Sequence, residues 1–68
     1  METEKWGRRI RAFRKLKGYT QESFAETLGV SVSIVGEIER GNRMPSAEFL
    51  DEAVNVLGIT KDELTPEK

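Results

Sequence analysis

The stretch TQESFAETLGVSVSIVGEIERGNR, residues 20–43, decides the fold. Phe24, Ala25 and Leu28 recur at helical spacing before Gly29, and Val35 and Ile38 stand at i, i+3 after it. Thr20 and Ser31 carry hydroxyls where each helix would start, and such oxygens accept the first orphan N–H groups of a helix. Gly29 and Gly41 stand where the two helices stop. Two short helices joined over a glycine turn form a helix-turn-helix unit, whose second helix enters the major groove in its DNA-binding versions.

Outward from this unit, Trp6, Ile10 and Phe13 lie at i, i+4, i+7 and predict a helix over residues 4–17, ended by Gly18. The second and third helices span 21–28 and 32–40. Residues 42–45 form a loop, because Pro45 disfavours helical backbone at Met44. Ser46 starts a fourth helix reaching Leu57, with Leu50, Ala53 and Leu57 inward and Gly58 as its stop. Thr60 and Glu63 fit a capping box for a short fifth helix ending near Leu64, and residues 65–68 form a frayed tail. Nothing reads as a strand or a repeat. The expectation is an all-α chain of one domain, residues 1–68, with its core between about 4 and 64.

The chain has 68 residues, near the lower limit for folding without staples. It contains neither Cys nor His, which excludes disulfides, thiolate metal sites, imidazole catalysis and the common zinc ligand sets. Acids abound, but no nucleophile–base pairing, glycine-rich phosphate loop or metal-spaced cluster appears. The sequence therefore points to no enzyme, catalytic residue, metal, cofactor or small-molecule ligand. No apolar run approaches a membrane span or a signal-peptide core, so the expectation is a soluble cytoplasmic protein, nucleoid-associated if it binds DNA.

Net charge is −1, but the charges are segregated. Residues 1–18 hold seven basic side chains against two acidic ones, a net of +5, while residues 19–68 hold four against ten, a net of −6. Most charges on helices simply solvate a face. A basic first helix is nonetheless suited to lie along a phosphate backbone with the acids turned away.

TQESFAETLGVS followed by SIVGEIERG resembles the helix-turn-helix of the phage Cro and repressor-type (Xre-like) regulators. The likeness extends back through GRRIRAFRKLKGYTQ and forward through PSAEFLDEAVNVLGIT, covering residues 7–64. It implies a five-helix bundle of the lambda-repressor-like type, operator binding, and no enzymatic activity. The third helix would then offer Val32, Ser33, Ile34, Gly36 and Glu37 to base edges. Val32 and Ile34 suit thymine methyls, and Glu37 suits the cytosine amino group. Ile34 is equally readable as a partly buried or protein-contact residue, and Ser31 as a plain cap. No Lys, Arg, Gln or Asn lies between Val30 and Glu39, which departs from the family and leaves direct base readout thin.

The resemblance also assigns phosphate contacts to Gln21, with Thr20 and Ser31 beside helix starts, and to Asn42 and Arg43 after the third helix. Arg11, Lys17 and Arg8 are further candidates. Arg14 and Glu39 match positions that form a partly buried ion pair between the first and third helices. Leu16, Phe49 and Val56 are apolar where the family has polar or small residues, and so mark a dimer or partner surface. Two functions follow. One is a sequence-specific DNA-binding repressor acting as a homodimer on palindromic double-stranded DNA. The other is a protein-interaction module on the same fold, such as an antitoxin or anti-repressor partner.

Overall fold

The structure is a computed structural model that describes residues 2–66. Among these residues the chain forms five helices and no strand: α1 (Glu2–Leu16), α2 (Gln21–Leu28), α3 (Val32–Glu39), α4 (Ala47–Leu57) and α5 (Lys61–Leu64). α1 starts two residues before its predicted position, with Glu2 and Glu4 in the first turn complementing the helix dipole.

Local chemistry sets the boundaries. The hydroxyls of Thr20, Ser31, Ser46 and Thr60 each accept from the backbone N–H three residues on, which starts α2, α3, α4 and α5. Thr20 and Thr60 do so reciprocally, with Ser23 and Glu63 returning a bond to the cap N–H. α2 ends at Gly29, whose φ of +75° lets its N–H turn back to the carbonyls of Ala25 and Glu26. A side chain there would cost about 1–2 kcal/mol. Of the expected frayed tail, Thr65 is bonded to the Lys61 carbonyl through its N–H (2.9 Å) and its hydroxyl (2.8 Å). Glu67 and Lys68 lie outside the described residues.

The core gathers one stripe from each helix. Trp6 and Ile10 come from α1, Phe24 and Ala25 from α2, and Val35 and Ile38 from α3. Phe49, Leu50, Ala53 and Leu57 come from α4, and Leu64 comes from α5. Phe49 is thus no surface residue: it is 7 % exposed and packs inside the domain. Val56 is half-buried against the same cluster. The stripe of α4 is wider than its i, i+3, i+7 pattern implied, and a domain this small needs that apolar area for its own core. Of the proposed partner residues only Leu16 is freely exposed, at 75 %.

Two contacts of α1 are not written in its periodicity. Arg9 donates Nε to the Leu64 carbonyl (3.2 Å) and Nη2 to the Glu63 carbonyl, satisfying the end of the short α5. Gly7 lies against the backbone of α3, where a Cβ would fall 2.9 Å from the Glu39 carbonyl oxygen and closer still to that of Ile38. Ala is the better helix former by about 1 kcal/mol. The collision should nevertheless dominate, since overpacking costs about 1–3 kcal/mol. Gly7→Ala is expected to lower the melting temperature by several degrees in a thermal melt, and a rise would show that α1 and α3 separate easily.

Candidate nucleic-acid interface

α3 is held from behind by one buried polar cluster. Arg14 of α1 and Glu39 of α3 form a two-pronged ion pair, Nε to Oε2 at 2.6 Å and Nη2 to Oε1 at 3.0 Å. Both residues are buried. The third arginine nitrogen, Nη1, donates to the Tyr19 carbonyl at 2.8 Å, and Gln21 Nε2 donates to Glu39 Oε1 at 3.1 Å. The cluster therefore joins α1, the α1–α2 turn, the start of α2 and the end of α3. Arginine suits this position because its planar fork matches a carboxylate edge to edge.

With Val35, Ile38 and Glu39 turned inward, the helical period puts Ser33, Glu37 and Arg40 on the opposite face of α3. Ser33 and Arg40 are exposed and Glu37 is half-buried. Val32 is exposed at the first turn, and Ile34 sits half-buried at the flank. Gly36 is buried, contrary to its assignment as a base-reading position. The Arg40 guanidinium covers it, with Nη1 2.9 Å from where a Cβ on Gly36 would be. The outer face of α3 thus carries an arginine at its end. It comes from the residue that caps α3, just past the segment that lacks Lys, Arg, Gln and Asn.

Glu37 is also engaged, accepting from Arg43 Nε at 2.9 Å. A proposed base reader and a proposed phosphate clamp therefore hold each other in the free chain. Of the other phosphate candidates, Thr20 and Ser31 cap their helices with exposed hydroxyls. Asn42, Arg11 and Lys17 are exposed, with no ion-pair partner for Arg11 or Lys17 among the described residues. Arg8 lies 4.0 Å from Glu4, both largely in solvent, a pair that contributes little. Gln21 is half-buried, and one amide hydrogen is committed to Glu39. The hints of Arg40 and Gly36 were local: a residue without a side chain one turn before a long one leaves it room to lie back along the helix.

This arrangement, a clamped helix behind and an open polar face in front, defines a helix-turn-helix domain. Residues 10–64 match the family model described as Helix-turn-helix, and the chain belongs to that family. It is 71 % identical over 66 residues to the uncharacterized HTH-type transcriptional regulator YazB of Bacillus subtilis, covering 97 % of this chain and 96 % of that one. It is 40 % identical over 63 residues to the HTH-type transcriptional regulator SinR of Bacillus subtilis, spanning 91 % of this chain and 57 % of SinR. Among solved structures, the restriction-modification controller protein C.AhdI of Aeromonas hydrophila superposes with a TM-score of 0.86 at 37 % identity, covering 91 % of this chain and 94 % of that one. SinR in complex with DNA gives 0.81 at 38 % identity, covering 87 % and 95 %. The fold is the lambda-repressor-like five-helix bundle, and the relatives are regulators rather than enzymes. Among the described residues no helix is long and apolar enough to cross a membrane, and no His/Cys/Asp/Glu group is arranged to hold a metal ion.

Removing Arg14 would strand the Glu39 carboxylate in the interior, at a cost of about 3–5 kcal/mol. That equals what a core of this size supplies, about 3–5 kcal/mol. Arg14→Ala is expected to be largely unfolded by circular dichroism at room temperature. Arg14→Met combined with Glu39→Leu should melt higher than either single variant, because no charge is left without a partner. A melting temperature for Arg14→Ala equal to wild type would show that the pair does not hold α3.

Proposed function

We propose that this chain is a sequence-specific DNA-binding transcriptional regulator, acting as a repressor, that sets α3 into the major groove of double-stranded DNA. The observation that carries this reading is the division of α3: an inner face locked by Arg14 and Glu39, and an outer face on which Ser33 and Arg40 are exposed and Glu37 is held by Arg43. That SinR has been solved in complex with DNA supports it. Exposed Thr20, Ser31, Asn42, Arg43, Arg11 and Lys17, with Gln21 at its edge, supply phosphate contacts around that face. The protein would work in the cytoplasm, on nucleoid DNA, as a homodimer. Two copies of α3 about 34 Å apart, one turn of DNA, would read a palindromic operator. Of Leu16, Phe49 and Val56, exposed Leu16 is the one left for a partner contact.

One observation favours the second reading, a protein-interaction module. A groove of about 370 Å³ is lined by Leu28 of α2, Ile34 and Ile38 of α3, Met44 of the following loop and Phe49 of α4.

Selection from a random duplex pool at two salt concentrations separates the two. A recovered palindrome whose affinity falls steeply with salt supports the regulator, and an unenriched pool favours the protein partner. Arg43→Ala should weaken binding to every sequence and flatten the salt slope by about one. It also leaves Glu37 unpaired near phosphates, so Glu37→Ala added to it should restore part of the affinity. Glu37→Ala alone should change which bases are preferred, and a merely uniform gain in affinity would remove Glu37 from base readout.

A further inference from the structure

Arg40 has no structural task. Of the six arginines, Arg9 ties α1 to α5, Arg14 pairs with Glu39, Arg43 holds Glu37, and Arg8 stands near Glu4. Arg11 and Arg40 alone have no ion pair or side-chain hydrogen bond among the described residues, and only Arg40 adjoins α3, as its C-cap. Its backbone is still helical, with φ −83° and ψ −4°, so its side chain leans toward the start of the helix. Gly36, one turn earlier, offers nothing to stop it. A Cβ there would lie 2.9 Å from Nη1 and 3.7 Å from both Cζ and Nη2. The guanidinium therefore rests on the helix surface over Gly36, alongside Glu37, and its fork is free to donate.

We infer that Arg40 is the principal base-reading residue of this chain, donating to O6 and N7 of a guanine, with Gly36 as the positioning residue that makes room for it. The inference rests on the major-groove reading proposed above. A planar two-pronged donor fits the guanine edge in the major groove better than any other base edge, and no other side chain on the outer face of α3 has this shape. Glu37 does not compete for Arg40, because Arg43 already engages it. Substituting Gly36 would disturb the flexible tip of Arg40 and not the core, so the fold should survive the change.

The test uses the full chain and the duplex recovered by selection. Wild type should enrich a guanine at one fixed position of each half-site. It should lose about 5- to 150-fold in affinity when that G·C pair is exchanged for A·T, the discrimination of one bidentate contact. Replacing the guanine by 7-deazaguanine, which lacks the N7 acceptor, should cause a smaller loss. Arg40→Ala should bind the G·C and A·T duplexes equally, and Arg40→Gln should shift the preference toward adenine. Gly36→Ala should melt at or above the wild-type temperature while discriminating less. If Arg40→Ala weakens both duplexes by the same factor and flattens the salt slope by about one, Arg40 is a phosphate contact and the inference falls. A guanine preference that survives Arg40→Ala overturns the inference alone, whereas an unenriched wild-type pool overturns the DNA-binding reading with it.

Discussion

The buried pair between Arg14 and Glu39 is the constraint on which the rest of the molecule depends. Two opposite charges out of water cost several kcal/mol each in desolvation, and only complete hydrogen bonding offsets that. Glu39 receives two bonds from Arg14 and one from Gln21, and Arg14 uses its remaining Nη1 on the Tyr19 carbonyl. Every side-chain nitrogen of Arg14 and both carboxylate oxygens of Glu39 thus make at least one hydrogen bond within the cluster. Because its members come from α1, the turn after it, α2 and α3, it sets where α3 stands relative to the others. An apolar contact of equal area would hold α3 with less directional control, since hydrophobic burial has no preferred angle.

The basic first helix looks different once its side chains are placed. Seven basic residues precede Gly18, but Arg9 and Arg14 are spent on α5 and α3. The exposed basic surface of α1 and the residue after it is accordingly Lys5, Arg8, Arg11, Lys15 and Lys17. Charge counted along the sequence overstates the charge available to a polyanion, because a small domain also needs arginine to satisfy its own buried carbonyls and carboxylates.

On the outer face of α3 the structure arranges three charges in a definite order. Arg43 reaches back to Glu37 and neutralises its charge, and Arg40 lies over Gly36 with no ion-pair partner among the described residues. The outer face of α3, which lacks Lys, Arg, Gln and Asn along its length, therefore receives an exposed guanidinium from its C-terminal end. Gly36, a weak helix former, has a physical reason to be there, as does Gly7 where α1 meets α3 backbone to backbone.

Sequence alone determined where α2, α3, α4 and α5 begin and, to within one residue, where the helices end. Capping hydroxyls, stop glycines and the 3.6-residue apolar period act within three or four residues, and all of those groups are adjacent in the chain. The Arg14–Glu39 pair was legible as well, through the likeness to a known family, though not its bonds to Tyr19 and Gln21. Only the tertiary structure decided that Phe49 belongs to the core, that Arg9 closes α5 from 55 residues away, and that Gly7 must be bare. The lie of Arg40 over Gly36 is a local contact, yet it matters only because packing turns the opposite side of α3 inward. Those outcomes depend on which surfaces meet, and a one-dimensional pattern carries no record of a meeting between residues that folding alone brings together.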